Sequence, residues 1–329
     1  MQKYINILLF TVIIGLVVYF FVLPKQKLYT KNLFYMDTYI EVEIYSKDAK
    51  KALKALDEVN NIYKEYHELS DRYTAYNVVN VYDINNHFTE ESEIIIDKKL
   101  YDLIKYGVDW YVLSGGLLNI NMGSVIDVWK EFKEEKIGVP TLDTLKKLDT
   151  DIKKVVLLEN GRISNDNPSI DLGALAKGYA TEEVGKYLRG IGLTKFLINA
   201  GGNVLAGDHY DAGVYKIGIE NPNDRSSIYQ VVKGNNIAIV TSGGYERYFE
   251  YEGVKYNHII DPNTLMPANN MKAVTVITKD SALGDVLSTT LFLMSVEDGL
   301  EFIKDFEAEA IWYTNNDEVI KTEGFSQYE

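Results

Sequence analysis

The sequence predicts an α+β fold, with mixed or antiparallel sheets and packed helices. Two observations carry that expectation. Amphipathic helical runs crowd the first half and the C-terminal end, whereas residues 196–278 hold a succession of short strand candidates with no helix between them. Strands and helices therefore do not alternate as βαβα, which argues for a long central antiparallel region. The 329 residues are 46% hydrophobic, so a sizeable core is feasible. Residues 31–329 suffice for one large domain or two intimately packed ones.

The individual elements follow from periodicity. Residues 32–45 alternate through Tyr39-Ile-Glu-Val-Glu-Ile-Tyr45 and predict a single strand. Ser46 is a good N-cap for a helix over 47–68, where Ala49, Ala52, Leu53, Leu56, Val59, Tyr63 and Tyr66 recur at helical spacing. Residues 71–89, rich in Tyr, Asn and Asp, predict a loop. A second helix is expected over 91–107, with Ile94, Ile95, Leu100, Leu103 and Ile104 inward. Ser114-Gly-Gly116 is a turn, and Asn119–Ser124 leads into a helix through Trp129 and Phe132. A short helix at 141–148 and a hairpin from 154–158 and 162–165 come next. Phe196–Asn199 predicts a buried strand ending in the Gly201-Gly202 turn. Strands are expected at 215–219, 228–232, 238–241, 245–251, 254–260 and 273–278. Helices over 281–294 and 296–305, then strands at 309–314 and 318–322, complete the chain.

Composition narrows the function. The formal net charge is -14, from 34 basic and 48 acidic side chains. Nucleic acid is not expected as a main partner, because phosphate backbones need clustered Lys and Arg. The chain has no cysteine, which excludes disulfides, thiolate catalysis and iron–sulfur sites. Any metal must be held by oxygen or by one of the four histidines, which favours Mg²⁺ or Ca²⁺.

The N-terminal residues 1–30 are set apart by Ile7–Leu23, an uncharged run at the short end for a membrane span. No small-x-small cleavage site comes after it, so an uncleaved anchor is expected over a cleaved signal peptide. Lys25, Lys27 and Lys31 outnumber Lys3 and slightly favour a cytoplasmic body, although signal-like anchors usually export the domain C-terminal to them.

Three segments could carry chemistry. Asp171-Leu-Gly-Ala-Leu-Ala-Lys-Gly-Tyr-Ala180 looks like a tight turn feeding a helix. Its small residues would let a ligand approach the backbone. Free amides at a helix start favour an anion, and Lys177 could meet phosphate as a point charge. The bland alternative is a tightly packed helix entry. In Asp280–Thr290, Asp285 and Thr289 are four apart and share a helix face. They could offer oxygens to a hard cation; alternatively, Thr289 bonds its own helix while Asp285 stays solvated. His258 stands at a strand end beside the Asp261-Pro262 turn, placed either as a general base or as a satisfied structural histidine. His67, His87 and His209 carry no motif. Thr241-Ser-Gly-Gly244 is either a ligand-flanking group or an ordinary strand end. Neither GxGxxG nor GxxxxGK[ST] is present, so no Rossmann site or P-loop is supported.

Together these segments resemble the FAD:protein FMN transferase family, the ApbE-like flavin transferases. The matching pieces are Met36-Asp-Thr-Tyr39, Asn121-Met-Gly123, Asp171–Gly178, Asn199-Ala-Gly-Gly-Asn203, Thr241-Ser-Gly-Gly-Tyr245, His258-Ile-Ile-Asp-Pro262 and Asp285-Val-Leu-Ser-Thr289. They run in family order over roughly residues 33–322. The resemblance implies an ApbE-like fold and Mg²⁺-dependent transfer of FMN from FAD to a Thr or Ser hydroxyl of an acceptor protein, releasing AMP. An FAD pyrophosphatase yielding FMN and AMP is the alternative enzyme, and a non-catalytic flavin carrier is the alternative class. By motif, Asp285, Thr289 and the Ala174 carbonyl would ligate Mg²⁺. Met36, Tyr73, Asn121, Met122, Gly123, Asp171, Lys177 and Ile259 would contact FAD, and His258 would take the proton of the acceptor hydroxyl. The family commonly has Thr-Val-Gly where this chain has Asn121-Met-Gly123, and its early aromatic falls within Asp71–Tyr76, where Tyr73 is preferred. The family's targets imply an extracytoplasmic or membrane redox subunit as acceptor. The catalytic body would then lie outside the cell membrane, tethered by a single N-terminal span.

Overall fold

The computed structural model describes residues 25–86, 93–164 and 167–329; the expected anchor at 7–23 and His87 lie outside them. The described chain opens as a hairpin, β1 (Lys27–Tyr35) and β2 (Thr38–Ser46), followed by the long helix α1 (Ala49–Ser70) and the short α2 (Val81–Asn86). Strand β3 (Glu93–Ile95), helices α3 (Lys98–Leu113), α4 (Gly123–Glu135) and α5 (Leu142–Leu145), and strands β4 (Leu157–Leu158) and β5 (Arg162–Ser164) come next. Helix α6 (Ala176–Gly190) leads to β6 (Phe196–Ala200), β7 (Asn203–Ala206), β8 (Tyr215–Asn221), β9 (Asp224–Gly234), β10 (Ile237–Gly243), β11 (Tyr248–Tyr251), β12 (Val254–Asn257) and β13 (Met271–Thr278). Helices α7 (Ser281–Leu293) and α8 (Val296–Phe302), then β14 (Ala308–Thr314) and β15 (Val319–Lys321), end the fold.

Eight strands form one sheet in the order β1-β2-β6-β7-β10-β13-β14-β15, antiparallel at every step. Side chains on a strand alternate between faces, and here both faces of the centre are covered. Ala238 and Val240 of β10 join the main core with Val274 and Val276 of β13. Ile237, Ile239 and Ile277 face the other way, into a second cluster closed by Ile219, Val232 and Phe325. Helices α1, α6 and α7 cover the first face: α1 packs on β1 and β2, α6 on α1 and α7, and α7 on β10 and β13. Hairpin β8–β9 and the C-terminal turn cover the second. Burial on both sides explains why β13 reads as an apolar run rather than an alternation.

Local chemistry departs from the sequence expectation in several places, among them β7, which is not an expected strand, and β11 and β12, which are shorter than expected. Residues 32–45 are not one strand, because Met36 and Asp37 both take φ near +52°, the left-handed geometry a two-residue hairpin turn needs. Asp48, not Ser46, caps α1: its carboxylate accepts the Lys51 N–H at 2.9 Å, while the Ser46 hydroxyl accepts the Asp48 N–H at 3.0 Å. The expected loop at 71–89 contains α2. The expected helix 91–107 divides into β3, paired with β5, and α3, capped by Asp97. Ile95 is consequently exposed rather than inward; a short apolar run cannot declare strand or helix until a distant partner pairs with it.

The tightest helix contact is between α6 and α7. A Cβ at Gly178 would collide with the Asp285 Cβ and sit 2.7 Å from the Ser281 carbonyl. Gly284 makes the corresponding approach to Val240 of β10. Gly190, by contrast, has open space where a Cβ would go. Gly178→Ala is therefore expected to destabilise the protein by about 1–3 kcal/mol in urea unfolding. Gly190→Ala should leave the midpoint unchanged or raise it. Equal effects at the two positions would show that the crossing is not the tight point.

Candidate active site

Between the helical layer, the β1–β2 turn and hairpin β11–β12 lies a cleft of ≈ 1310 Å³. That exceeds the roughly 300–1,000 Å³ of ordinary small-molecule sites and leaves room for a dinucleotide. Arg72, Lys130, Lys133, Lys177, Arg225 and Arg247 line it, together with a comparable set of carboxylates. Cationic side chains thus gather there in a net-acidic chain without making the lining strongly basic.

The α6–α7 crossing builds one wall. Asp285 is buried, with 6% of its surface exposed. Its Oδ2 accepts the Gly178 N–H at 2.7 Å and its Oδ1 accepts from Lys177 Nζ at 2.9 Å. The alternative of a solvated Asp285 is thereby overturned. Gly178 is small because helix α7 passes against it, and its amide is committed to Asp285 rather than free for an anion. Thr289 lines the same wall, with Oγ1 3.3 Å from the Ser242 hydroxyl, which in turn lies 2.9 Å from that of Ser288. It is Thr290, one position on, that bonds back to its own helix at Val286. Ala174 lines the cleft beside Gly173, in the turn before α6. The donor types are a carboxylate, a hydroxyl and a backbone carbonyl, all hard oxygens suited to Mg²⁺. Among the described residues no cluster of three or more His, Cys, Asp or Glu gathers as a metal centre, and this set, with its single carboxylate, is of another kind.

Asp171 holds the turn. Its Oδ1 accepts the Gly173 N–H at 2.9 Å, and its Oδ2 faces Arg72 Nε at 3.7 Å. Arg72, absent from the sequence expectation, is the hub of this corner. Its guanidinium makes a bidentate pair with Asp127 of α4, at 2.6 and 2.9 Å, and donates to the Ile170 carbonyl. Tyr73 lines the cleft with its ring 3.7 Å from Lys130 Nζ, whereas the Tyr76 hydroxyl turns to Asp71 and His67. His67 is a second residue without a sequence signal. It lines the cleft and receives the Met36 N–H at 3.4 Å, behind the β1–β2 turn.

The Asn121–Gly123 turn divides. Met122 lines the cleft, but Asn121 and Gly123 stand behind it. Asn121 donates to the Asp151 carbonyl and accepts the Ser169 N–H at 2.7 Å. Gly123 leaves room for Arg72 and the Ser169 carbonyl. Both therefore support the Asp171 turn from the rear.

A second wall is β11–β12. Trp129 of α4 packs with Phe249 and Tyr256 and donates Nε1–H to the Leu265 carbonyl at 2.9 Å, fixing the hairpin and the loop after it. His258 and Ile259 both line the cleft. The His258 Nδ1 lies 3.1 Å from the Arg247 carbonyl. A carbonyl only accepts, so Nδ1 carries the proton and Nε2 is left as an acceptor. Desolvation by the cleft walls, then the charges of Arg247, Lys133 and Lys177, push the imidazole pKa down from 6.5 to about 4; hydrogen bonding to Arg247 opposes this in part. His258 as a residue remains exposed in the cleft, which moderates the desolvation. Around one cleft the fold thus assembles Met36, Tyr73, Met122, Asp171, Ala174, Lys177, His258, Ile259, Asp285 and Thr289.

Comparison with known proteins identifies the family and the fold. The model of the ApbE family matches residues 36–312. The chain is 32% identical over 247 residues to the FAD:protein FMN transferase of Klebsiella pneumoniae, covering 73% of this chain and 76% of that protein. It is 30% identical over 251 residues to that of Vibrio cholerae serotype O1, covering 74% and 73%. The crystal structure of the ApbE protein from Thermotoga maritima superposes with a TM-score of 0.82 at 26% identity, over 92% of this chain and 99% of that one. Matched along most of its length in sequence and in fold, the chain belongs to the ApbE family.

Proposed function

We propose that this protein transfers FMN from FAD to a Thr or Ser hydroxyl of an acceptor protein, forming a phosphoester and releasing AMP. The observation that carries the reading is that Lys177, Asp285 and Thr289 of the helical wall and His258, whose Nδ1 is held by the Arg247 carbonyl, line one dinucleotide-sized cleft. Family membership, with curated relatives named FAD:protein FMN transferases, supports the same chemistry.

Asp285, Thr289 and the Ala174 carbonyl would hold Mg²⁺, and Lys177 and Asp171 would flank the nucleotide. When bound, the ion neutralises pyrophosphate charge and polarises phosphorus. The Tyr73 ring and Met36 offer apolar surface to the flavin half of FAD, with Ile259 beside the base. His258 Nε2 accepts the proton of the acceptor hydroxyl as its oxygen bonds to the FMN phosphorus. The bond from that phosphorus to the AMP-side oxygen breaks, and AMP departs. In-line positioning supplies much of the rate.

We further propose that residues 7–23 anchor the protein in the cell membrane with its body on the extracytoplasmic side, where a membrane redox subunit would present the acceptor hydroxyl. The uncharged run supports the anchor; the outside placement rests on the family resemblance, against the small lysine bias after the run. Among the described residues no helix is long and apolar enough to cross a membrane.

Incubating the protein with FAD, Mg²⁺ and a candidate acceptor should add the mass of FMN to an acceptor Thr or Ser. EDTA or Asp285→Ala should abolish the gain, and AMP release with no gain in mass would identify a hydrolase instead. His258→Ala should retain FAD binding while slowing transfer about 10²–10⁴-fold. Because the neutral imidazole is the base and its pKa is depressed to about 4, kcat/KM should hold through neutral pH. It should fall only in acid, with a midpoint below 6.5 that disappears in His258→Ala; a midpoint above 6.5 contradicts the base assignment. For localisation, the full chain should sediment with membranes and its body should be cleaved by protease added to spheroplasts. A soluble or protected body would overturn the anchor proposal.

A further inference from the structure

The base stands on a part of the fold with few attachments. Among the described residues strands β11 and β12 pair only with each other, and an isolated two-stranded hairpin is marginal in water. One tie is the aromatic packing on α4. The other is Arg247, the residue immediately before β11. Its Nη2 donates to the Asp37 carbonyl at 2.7 Å and lies 3.4 Å from the Thr38 hydroxyl, spanning 210 and 209 residues of sequence. Its own carbonyl accepts both the backbone N–H and the Nδ1–H of His258, each at 3.1 Å. One residue thus grips the β1–β2 turn with its side chain and the imidazole with its backbone. Among the described residues no carboxylate pairs with this guanidinium, unlike Arg72, Arg189 and Arg225. A carbonyl is the acceptor it is given, and that carbonyl belongs to the left-handed turn next to Met36.

We propose that Arg247 is a positioning residue that holds the His258 imidazole in register with the Met36–Asp37 turn, so that base and flavin-facing turn form one rigid unit. The proposal rests on the flavin-transfer reading, in which His258 is the base. Arg247 also lines the cleft, so FAD affinity is measured beside the rate to separate the tie to protein groups from a contact with the nucleotide. A displacement of about 1 Å at a reacting group can cost 10²-fold in rate, and that is the scale of loss expected when the side-chain tie is cut.

The experiment is a double-mutant cycle with steady-state transfer kinetics and FAD binding by fluorescence. Arg247→Ala should lower kcat for transfer by about 10- to 100-fold while leaving the Kd for FAD within about threefold. Arg247→Lys, which keeps a cationic donor for the Asp37 carbonyl, should recover part of kcat. The pair Arg247→Ala with His258→Ala should be no slower than His258→Ala alone, because a base that is absent cannot be misplaced. Losses that add in the double variant would overturn the proposal. So would an affinity for FAD that falls in step with kcat, which would make Arg247 a nucleotide ligand. Full activity in His258→Ala alone would instead overturn the base assignment, separately from the role of Arg247. Thermal melts identify a variant that does not fold; should Arg247→Ala be one, Arg247→Lys and Arg247→Gln carry the same cycle.

Discussion

The structure depends on one close crossing, that of α6 over α7 at Gly178 and Asp285. Because Gly178 has no side chain, the helices approach until the Asp285 carboxylate meets the first turn of α6. There it accepts the Gly178 amide and the Lys177 ammonium. A buried carboxylate is costly unless it is paired and hydrogen-bonded, and this one is both. The same contact that closes the helical layer therefore sets an acidic group at the cleft wall, fixed in two directions. With Asp285 in place, Thr289 one turn on reaches the same cleft beside Ser242 of β10.

The second wall is made differently. Hairpin β11–β12 lies outside the main sheet and is held by aromatic packing on α4 and by Arg247. Helix α4 also carries Asp127, which grips Arg72 and through it the Asp171 corner. One helix thus braces two parts of the cleft: Trp129 toward the His258 hairpin and Asp127 toward the Asp171 turn. The arrangement suits the proposed reaction, in which a base and a charged-ligand pocket keep a fixed relation in a cleft open to a protein acceptor.

Much of this was legible in the sequence, and the limits have physical causes. Long helices such as α1 and α7 and strands β6, β10 and β13 appear at their expected places, because each buries a continuous stripe or face, whereas β7 is not an expected strand. Errors fall where a distant contact outranks a local pattern. The 32–45 alternation continues through the Met36–Asp37 turn, since a two-residue turn scarcely disturbs a period of two. Ile94 and Ile95 fit a helix as well as a strand until β5 pairs with them. Asn121 and Gly123 sit within a motif but behind the cleft, because the turn presents Met122 and directs its polar groups to 151 and 169. Arg72, His67 and Arg247 have no spacing signal, as each works through partners remote in sequence.

The sequence by itself determined the α+β class, the family and the residue types available for hard-oxygen and base chemistry. These depend on local periodicity and on motifs that can be read along the chain. Only the tertiary structure decided which of those groups meet. It made Gly178 a helix-crossing residue, turned Asp285 from a surface acid into a buried and paired carboxylate, and fixed the tautomer of His258 through the Arg247 carbonyl. Such assignments depend on distances between segments about a hundred residues apart in sequence, or on the backbone geometry of a hairpin end. Close packing sets those distances, and no local pattern encodes them.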